Sequence, residues 1–224
     1  MLPQVPRSVV AVLLMSFLIS MYTKPKYNAG MTLVEMVMVT AMFSLLMIAV
    51  GNSVATLYRV NAYTIAQAHE VASARRGVES FIRDVREMTF ADDGTFPLAR
   101  MEEHIIGFYS DIDRDSSVEY VEYELATSTV LTKRIYNATG TPVTYDTSSP
   151  DETYILSEYV QNILQGTSTF FYSDTYGNLS TGTSSVTDIR YITTQLIVNI
   201  DPVRSPGQFM LRSSAALRNV IDNI

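Results

Sequence analysis

Apolar positions along the chain fall into three regimes. Two are continuous runs near the N-terminus. Val9–Ile19 reads VVAVLLMSFLI, too short to cross a bilayer and of the length of a signal-peptide core. Met31–Val50 reads MTLVEMVMVTAMFSLLMIAV, about twenty residues, enough to cross a hydrocarbon layer as a helix. In the second regime apolar residues recur at helical spacing: Val54, Leu57, Tyr58, Ile65, Ala68, Val71, Val78, Phe81, Ile82, Val85 and Met88. Arg75, Glu79, Arg83 and Glu87 add an i,i+4 ladder of alternating sign. No proline interrupts Met31–Phe90, so the pattern predicts one helix over Thr32–Met88, about 85 Å long at ~1.5 Å per residue. Gly51-Asn52-Ser53 is its weak point, because glycine costs up to ~1 kcal/mol in a helix interior.

From Ala91 the period changes to two. Val121, Tyr123 and Leu125 share one face with Glu122 and Glu124 on the other, and Ile192, Leu196, Val198 and Ile200 share a face within Asp188–Ile200. Further strands are predicted at Ile105–Tyr109, Glu119–Leu125, Val130–Tyr136, Tyr154–Tyr159, Ser168–Ser173 and Gln208–Ser213. Turns are marked at Asp92, Asn137, Ser148 and Asp174. The expected fold is α+β: a long N-terminal helix, half transmembrane and half amphipathic, packed on an antiparallel β-sheet head. The expected divisions are 1–30, a basic leader; 31–50, the membrane helix; 51–90, the amphipathic stem; and 91–224, the β-rich head.

Composition narrows the function. Hydrophobic residues make up 47% and charged residues 17% of the 224, too apolar for a disordered chain. Mean hydropathy is +0.11, which the two apolar runs account for. The absence of cysteine excludes disulfides, thiolate metal sites and a cysteine nucleophile. The net charge of −7 argues against nucleic acid as a partner. That charge is unevenly placed. Arg7, Lys24 and Lys26 precede Gly30 without any acid, whereas residues 91–224 hold eighteen acidic against eight basic residues. The positive-inside rule then puts residues 1–30 in the cytoplasm and the head outside it.

The only charge in the long run is Glu35, one turn from its start. There the helix dipole favours an anion and the side chain reaches the interface, so a signal anchor with a tolerated glutamate is one reading. The string Gly30-Met-Thr-Leu-Val-Glu35 resembles the prepilin cleavage and methylation motif of type IV pilins and type II secretion pseudopilins. The resemblance implies that a membrane prepilin peptidase cuts after Gly30 and methylates the new N-terminus at Met31, and that Glu35 is the assembly glutamate. A buried Glu35 pairing with the new amino group of a neighbouring helix would offset much of the cost of desolvating both. The sequence departs from the family at Met31, where phenylalanine is commonest, and in its long leader. Met21 as the true start gives the ordinary leader MYTKPKYNAG; the alternative is that Val9–Ile19 acts as a separate signal peptide.

Within that family, ARRGVESFIRDVREM from Ala74, IGFYSDIDRDSSVEYVEYEL from Ile106, FFYSDTYGNL from Phe170 and LRN at Leu217 are most similar to the J-type minor pseudopilins and PilW-like minor pilins. The resemblance implies a structural subunit with other pilins or pseudopilins, the prepilin peptidase, a membrane assembly platform and a cytoplasmic ATPase as partners. The expected location is the inner membrane, with a single pass, and then an extracytoplasmic filament. The competing reading is a single-pass membrane-anchored binding domain that does not polymerise.

An enzyme is not expected. The chain carries no GxSxG, HExxH, P-loop or dinucleotide fingerprint, and neither His69 nor His104 has a triad companion in sequence. Asn137 and Asn178 fit glycosylation sequons but read as turn asparagines. One segment has metal-ligand spacing: Asp111, Asp113, Asp115, Ser117, Glu119 and Glu122 occupy positions one, three, five, seven, nine and twelve of a calcium loop, with Ser116 where glycine normally makes the turn. Calcium and a plain acidic hairpin turn are the two alternatives for it; no other cofactor is expected.

Overall fold

The computed structural model describes residues 30–115, 117–125, 129–180, 183–204 and 207–217. The leader, with Val9–Ile19 and Met21, lies outside the described residues, as do Ser116 and the end of the LRN string. The helix α1 spans Leu33–Arg86. Among the described residues the strands are β1 (Leu98–Met101), β2 (Ile105–Ser110), β3 (Glu119–Glu124), β4 (Leu131–Tyr136), β5 (Ala138–Thr139), β6 (Thr144–Tyr145), β7 (Glu152–Ser157), β8 (Phe170–Ser173), β9 (Leu179–Ser180), β10 (Tyr191–Val198) and β11 (Phe209–Ala216). The expected α+β class is therefore observed. The chain divides into two units, Met1–Leu57 and Tyr58–Ile224.

In the first unit every described residue is exposed, and the helix is long and apolar enough to cross a membrane. Its few hydroxyls are satisfied within the helix. Thr40 Oγ1 donates to Met36 O at 2.9 Å and Ser44 Oγ to Thr40 O at 2.8 Å. Such back-bonding spares the hydroxyls of Thr40 and Ser44 a need for water, which suits an apolar surrounding. The helix continues through Gly51-Asn52-Ser53, where a Cβ on Gly51 would meet nothing within 4 Å.

In the second unit, α1 buries Tyr63, Gln67, Ala74, Gly77, Val78, Phe81, Ile82, Asp84 and Val85. This corrects the predicted single stripe. Tyr58, Ile65 and Ala68 are exposed. At about 100° per residue they fall on the side of the helix opposite Tyr63, Gln67 and Ala74. The head-facing side upstream of Ala74 is carried partly by polar groups, so counting apolar residues alone merged two faces into one.

The head is built entirely from antiparallel pairs. The strand orders are β1-β2-β3-β4-β7, β11-β10-β8-β9 and β5-β6. On β3 the predicted alternation holds: Val121, Tyr123 and Leu125 enter the core with Ile192, Leu196 and Val198, against Phe81, Ile82 and Val85 of α1. Ile200, predicted on the same face, lies beyond β10 and is only half-buried, and β10 is buried on both faces from Ile192 to Val198. Phe81 packs edge-on to Tyr123 with ring centroids 5.0 Å apart. The other side of the five-stranded sheet carries a smaller cluster of Tyr109, Tyr120 and Tyr136 with Ala91. Gly107 is required there, because a Cβ at that position would lie 2.0 Å from the Tyr120 hydroxyl. The seven predicted strands are present with shifted ends; β1, β5, β6 and β9 are additional.

Candidate functional site

The helix start is the first site. Gly30, Met31 and Thr32 are exposed and precede the helix. Thr32 O accepts the Met36 N–H at 3.1 Å, which makes Thr32 the N-cap, and Thr32 Oγ1 accepts the Glu35 N–H at 3.3 Å. Thr-x-x-Glu ahead of an apolar run is the capping-box signature, so Glu35 stands at the third helical position. The sequence carried this signal in Thr32, which the dipole and assembly readings of Glu35 did not use. Glu35 is exposed, at the end of α1 where the dipole favours an anion.

Two polar clamps hold α1 to the head. Asp84 is 2% exposed, and its Oδ2 accepts from Lys133 Nζ of β4 at 2.5 Å and from the Tyr123 hydroxyl of β3 at 2.6 Å. Burial, and next the Asp84 charge, push the Tyr123 phenol well above its ordinary value. Upstream, Gln67 Nε2 donates to Val198 O at 3.2 Å and Gln67 Oε1 accepts the Ile200 N–H at 3.0 Å. Its amide thus acts as one more peptide unit at the end of β10. Tyr63 reaches the same place, its hydroxyl donating to Asn199 Oδ1 at 3.3 Å. Of these residues only Tyr123 was predicted, as part of the inward face of β3; Asp84, Lys133, Gln67 and Tyr63 were not singled out. A lone polar residue inside an apolar stripe, as Asp84 is beside Val85, is the signal that could have found the first clamp.

A groove of about 700 Å³ opens beside the Asp84 clamp, between α1, β4, β7 and the loop after β2, with Arg83, Glu87, Arg114, Lys133, Glu152 and Tyr154 on its walls. Its charges are largely paired: Lys133 with Asp84, and Arg114 with Glu87 at 3.0 Å.

The acidic loop brings Asp111, Asp113 and Asp115 together, with carboxylate oxygens within 4.8 Å of one another. Each also accepts a loop amide: Asp111 from Arg114 at 2.7 Å, Asp113 from Asp115 at 3.1 Å, and Asp115 from Ser117 at 2.6 Å. Arg114 sits at φ 62, within this tight turn. Glu119 accepts the Ile112 N–H at 3.0 Å and the Ser117 hydroxyl at 3.3 Å. Burial raises the Glu119 carboxyl above its ordinary value; the Ile112 amide opposes this, and the nearby Asp113 and Asp115 charges add to it. The predicted sixth member is elsewhere. Glu122 lies on the opposite face of β3 and accepts from Arg100 at 3.0 Å and Arg134 at 3.2 Å. An extended β3 cannot fold Glu122 back, so of the six predicted positions the structure brings Asp111, Asp113 and Asp115 together, ties Glu119 at the start of β3 to the loop through Ile112 and Ser117, and leaves Glu122 on the other face.

His69 is exposed beside Glu70 on α1, and His104 Nδ1 lies 3.0 Å from Thr169 Oγ1. The Asn137 N–H donates to Asp151 at 2.8 Å, and Asn178 closes a turn on Asp174 around Gly177 at φ 82. No family model, curated protein or solved structure matches the chain.

Proposed function

We propose that the chain is a structural subunit, a minor pilin or pseudopilin of a type IV pilus or type II secretion-like filament. It is inserted in the inner membrane with its head outside the cytoplasm, cut after Gly30, methylated at Met31 and assembled through α1 with other pilins on a membrane platform. The observation that carries this reading is the placement of one motif. Gly30-Met-Thr-Leu-Val-Glu35 sits at the start of a helix that exposes Met31–Ala62 to its surroundings and buries residues into a β-rich head only from Tyr63 onward. A helix with two such halves needs an apolar cover for the first and a head for the second.

The test is mass spectrometry of the mature N-terminus from membranes of cells that carry a prepilin peptidase. A chain beginning at methylated Met31 is expected. An uncut chain, or one beginning near residue 20, would overturn the proposal; an uncut chain with an intact head would favour a single-pass anchored binding domain.

A further inference from the structure

One end of the four-stranded sheet differs in its chemistry from the rest of the head. As the chain leaves β10 it moves along α1 toward the helix N-terminus. Val198 and Ile200 bond to Gln67, and Asp201 O accepts from the Tyr63 hydroxyl at 3.4 Å, one helical turn earlier. The Arg204 guanidinium then lies 5.8 Å from the Tyr63 ring centre. Between Asp201 and Arg204, Val203 is 94% exposed, more than any other large apolar side chain among the described residues. Three more exposed apolar residues stand at this end. Leu164 is next to Gln165, which bonds Gln208 at 2.6 Å, and Phe209 and Met210 pair with Val198 and Ile197.

Charge is missing from the same place. The head carries eighteen acidic and eight basic residues, yet Tyr159–Ser173 has none. Tyr191–Leu211 has only Asp201 and Arg204, which pair with each other at 3.4 Å. Elsewhere the head's solvent-facing turns are acidic, as at Asp111–Asp115. An exposed apolar patch without net charge marks a surface that meets something apolar.

We infer that the turn Asp201–Arg204, with Val203 foremost, enters the headgroup–acyl boundary of the membrane that α1 crosses, and that Leu164 and Phe209 follow it onto the lipid surface. The covalent chain selects lipid as the partner. Glu35 and Arg59 bracket twenty-three uncharged residues. A hydrocarbon core of ~30 Å takes up about twenty of them at ~1.5 Å each, which leaves Arg59 about one turn beyond it, in the headgroup layer. Tyr58, exposed beside it, is of the residue type that favours that layer. Tyr63 follows Arg59 by four residues, so in any conformation the chain holds it within about 15 Å of Arg59. The turn packed on Tyr63 is tethered at the membrane surface by that short connection alone. The inference rests on α1 being membrane-spanning and not on cleavage at Gly30.

The native chain has no tryptophan, so one introduced residue reports alone. The full chain is reconstituted in phosphatidylcholine–phosphatidylglycerol vesicles, with and without bromine high on the acyl chains, and tryptophan emission is read. Val203→Trp is expected to lose at least about half its emission to the brominated lipid, as a side chain ~5–10 Å deep in the boundary would. Tyr176→Trp is similarly exposed but lies past the Ser173–Tyr191 pair, at the opposite end of the same sheet. It is expected to lose less than about a tenth, which separates the turn's position from tryptophan's own preference for the interface. Phe43→Trp, in the middle of the span, calibrates full quenching. Quenching at Phe43→Trp without quenching at Val203→Trp would overturn the inference and leave the span standing; a blue-shifted but unquenched Val203→Trp would overturn it by showing that protein covers the turn. Equal quenching of Val203→Trp and Tyr176→Trp would also overturn it. An unquenched Phe43→Trp would overturn the membrane reading and this inference with it. Both head positions are almost fully exposed, so unchanged melting of these variants is expected and confirms an intact head.

Discussion

Lys133→Met removes the cation from the buried clamp and leaves the Asp84 carboxylate facing the core with only the Tyr123 hydroxyl on its Oδ2. The Asp84 side chain is 3% exposed and that of Lys133 10%, so water screens the pair little. Removing one partner of a buried pair costs ~3–5 kcal/mol, because the remaining charge keeps its desolvation penalty. For a unit of this size each kcal/mol moves Tm by about 2–4 °C, so a fall of about 6–20 °C is expected. The measurement is thermal and denaturant unfolding of the full chain in detergent, followed by near-ultraviolet circular dichroism of the head tyrosines. The triple variant Asp84→Leu, Lys133→Met, Tyr123→Phe removes the carboxylate, the ammonium and the phenol together and leaves only Arg83, 3.7 Å from Asp84 Oδ1 and itself two-thirds exposed, to return to water. It is expected to recover most of the loss, since an apolar replacement of a whole buried cluster is often neutral. A loss under about 1 kcal/mol for Lys133→Met, or a triple variant no better than the single, would refute the view that this pair is desolvated.

Gln67→Leu keeps the volume but strands Val198 O and Ile200 N–H, so a loss of about 2–4 kcal/mol in denaturant unfolding is expected, where Gln67→Ala alone as a cavity effect would not distinguish the two losses. Glu119 has its folded value raised above the ordinary 4.5, so between the ordinary and the raised value the folded state holds more of the proton than the unfolded state. Stability is then greatest below the ordinary value and declines as pH rises through the raised one; Glu119→Gln should flatten that part of the pH–Tm curve while leaving the rest unchanged. The amides of the acidic loop already occupy Asp111, Asp113 and Asp115, so Tm in millimolar calcium and in excess chelator is expected to coincide. A rise in calcium that Asp113→Asn removes would show instead that the three carboxylates bind the ion.

Periodicity carried most of the fold. The change from a helical to a two-residue repeat near Ala91 marks the passage from helix to sheets, and Val121, Tyr123 and Leu125 face inward as their alternation demands. The short strands β5, β6 and β9 were not legible, because two residues cannot display a period. The stem was legible only from Val71 onward. Above it, Tyr63 and Gln67 attach α1 by hydrogen bonds, which leave no apolar pattern, whereas the apolar Ile65 faces outward at 62% exposure. At the acidic loop, spacing alone placed Glu122 with the aspartates. The pleat of β3 decided otherwise, since its alternate residues Val121 and Tyr123 had to enter the core and Glu122 could not follow them.

The exposed half of α1 restricts what the protein does more than any cavity does. Met31, Leu33, Val34, Phe43, Leu46 and Leu57 are exposed, and the hydroxyls of Thr40 and Ser44 among them are bonded within the helix. Lipid and neighbouring helices are equally apolar and cover such a surface equally well, so burial alone does not separate an anchor from an assembling subunit. Glu35 does. In an anchor its worth is local: the Thr32 cap leaves the backbone satisfied and the dipole adds about 0.3–1 kcal/mol, so Glu35→Gln should insert and behave normally. In a packed helical assembly the carboxylate would stand in a dry environment opposite a cation, and removing it would leave that cation unpaired at a cost of several kcal/mol. Normal insertion together with lost assembly in Glu35→Gln is therefore the result that only the filament reading produces.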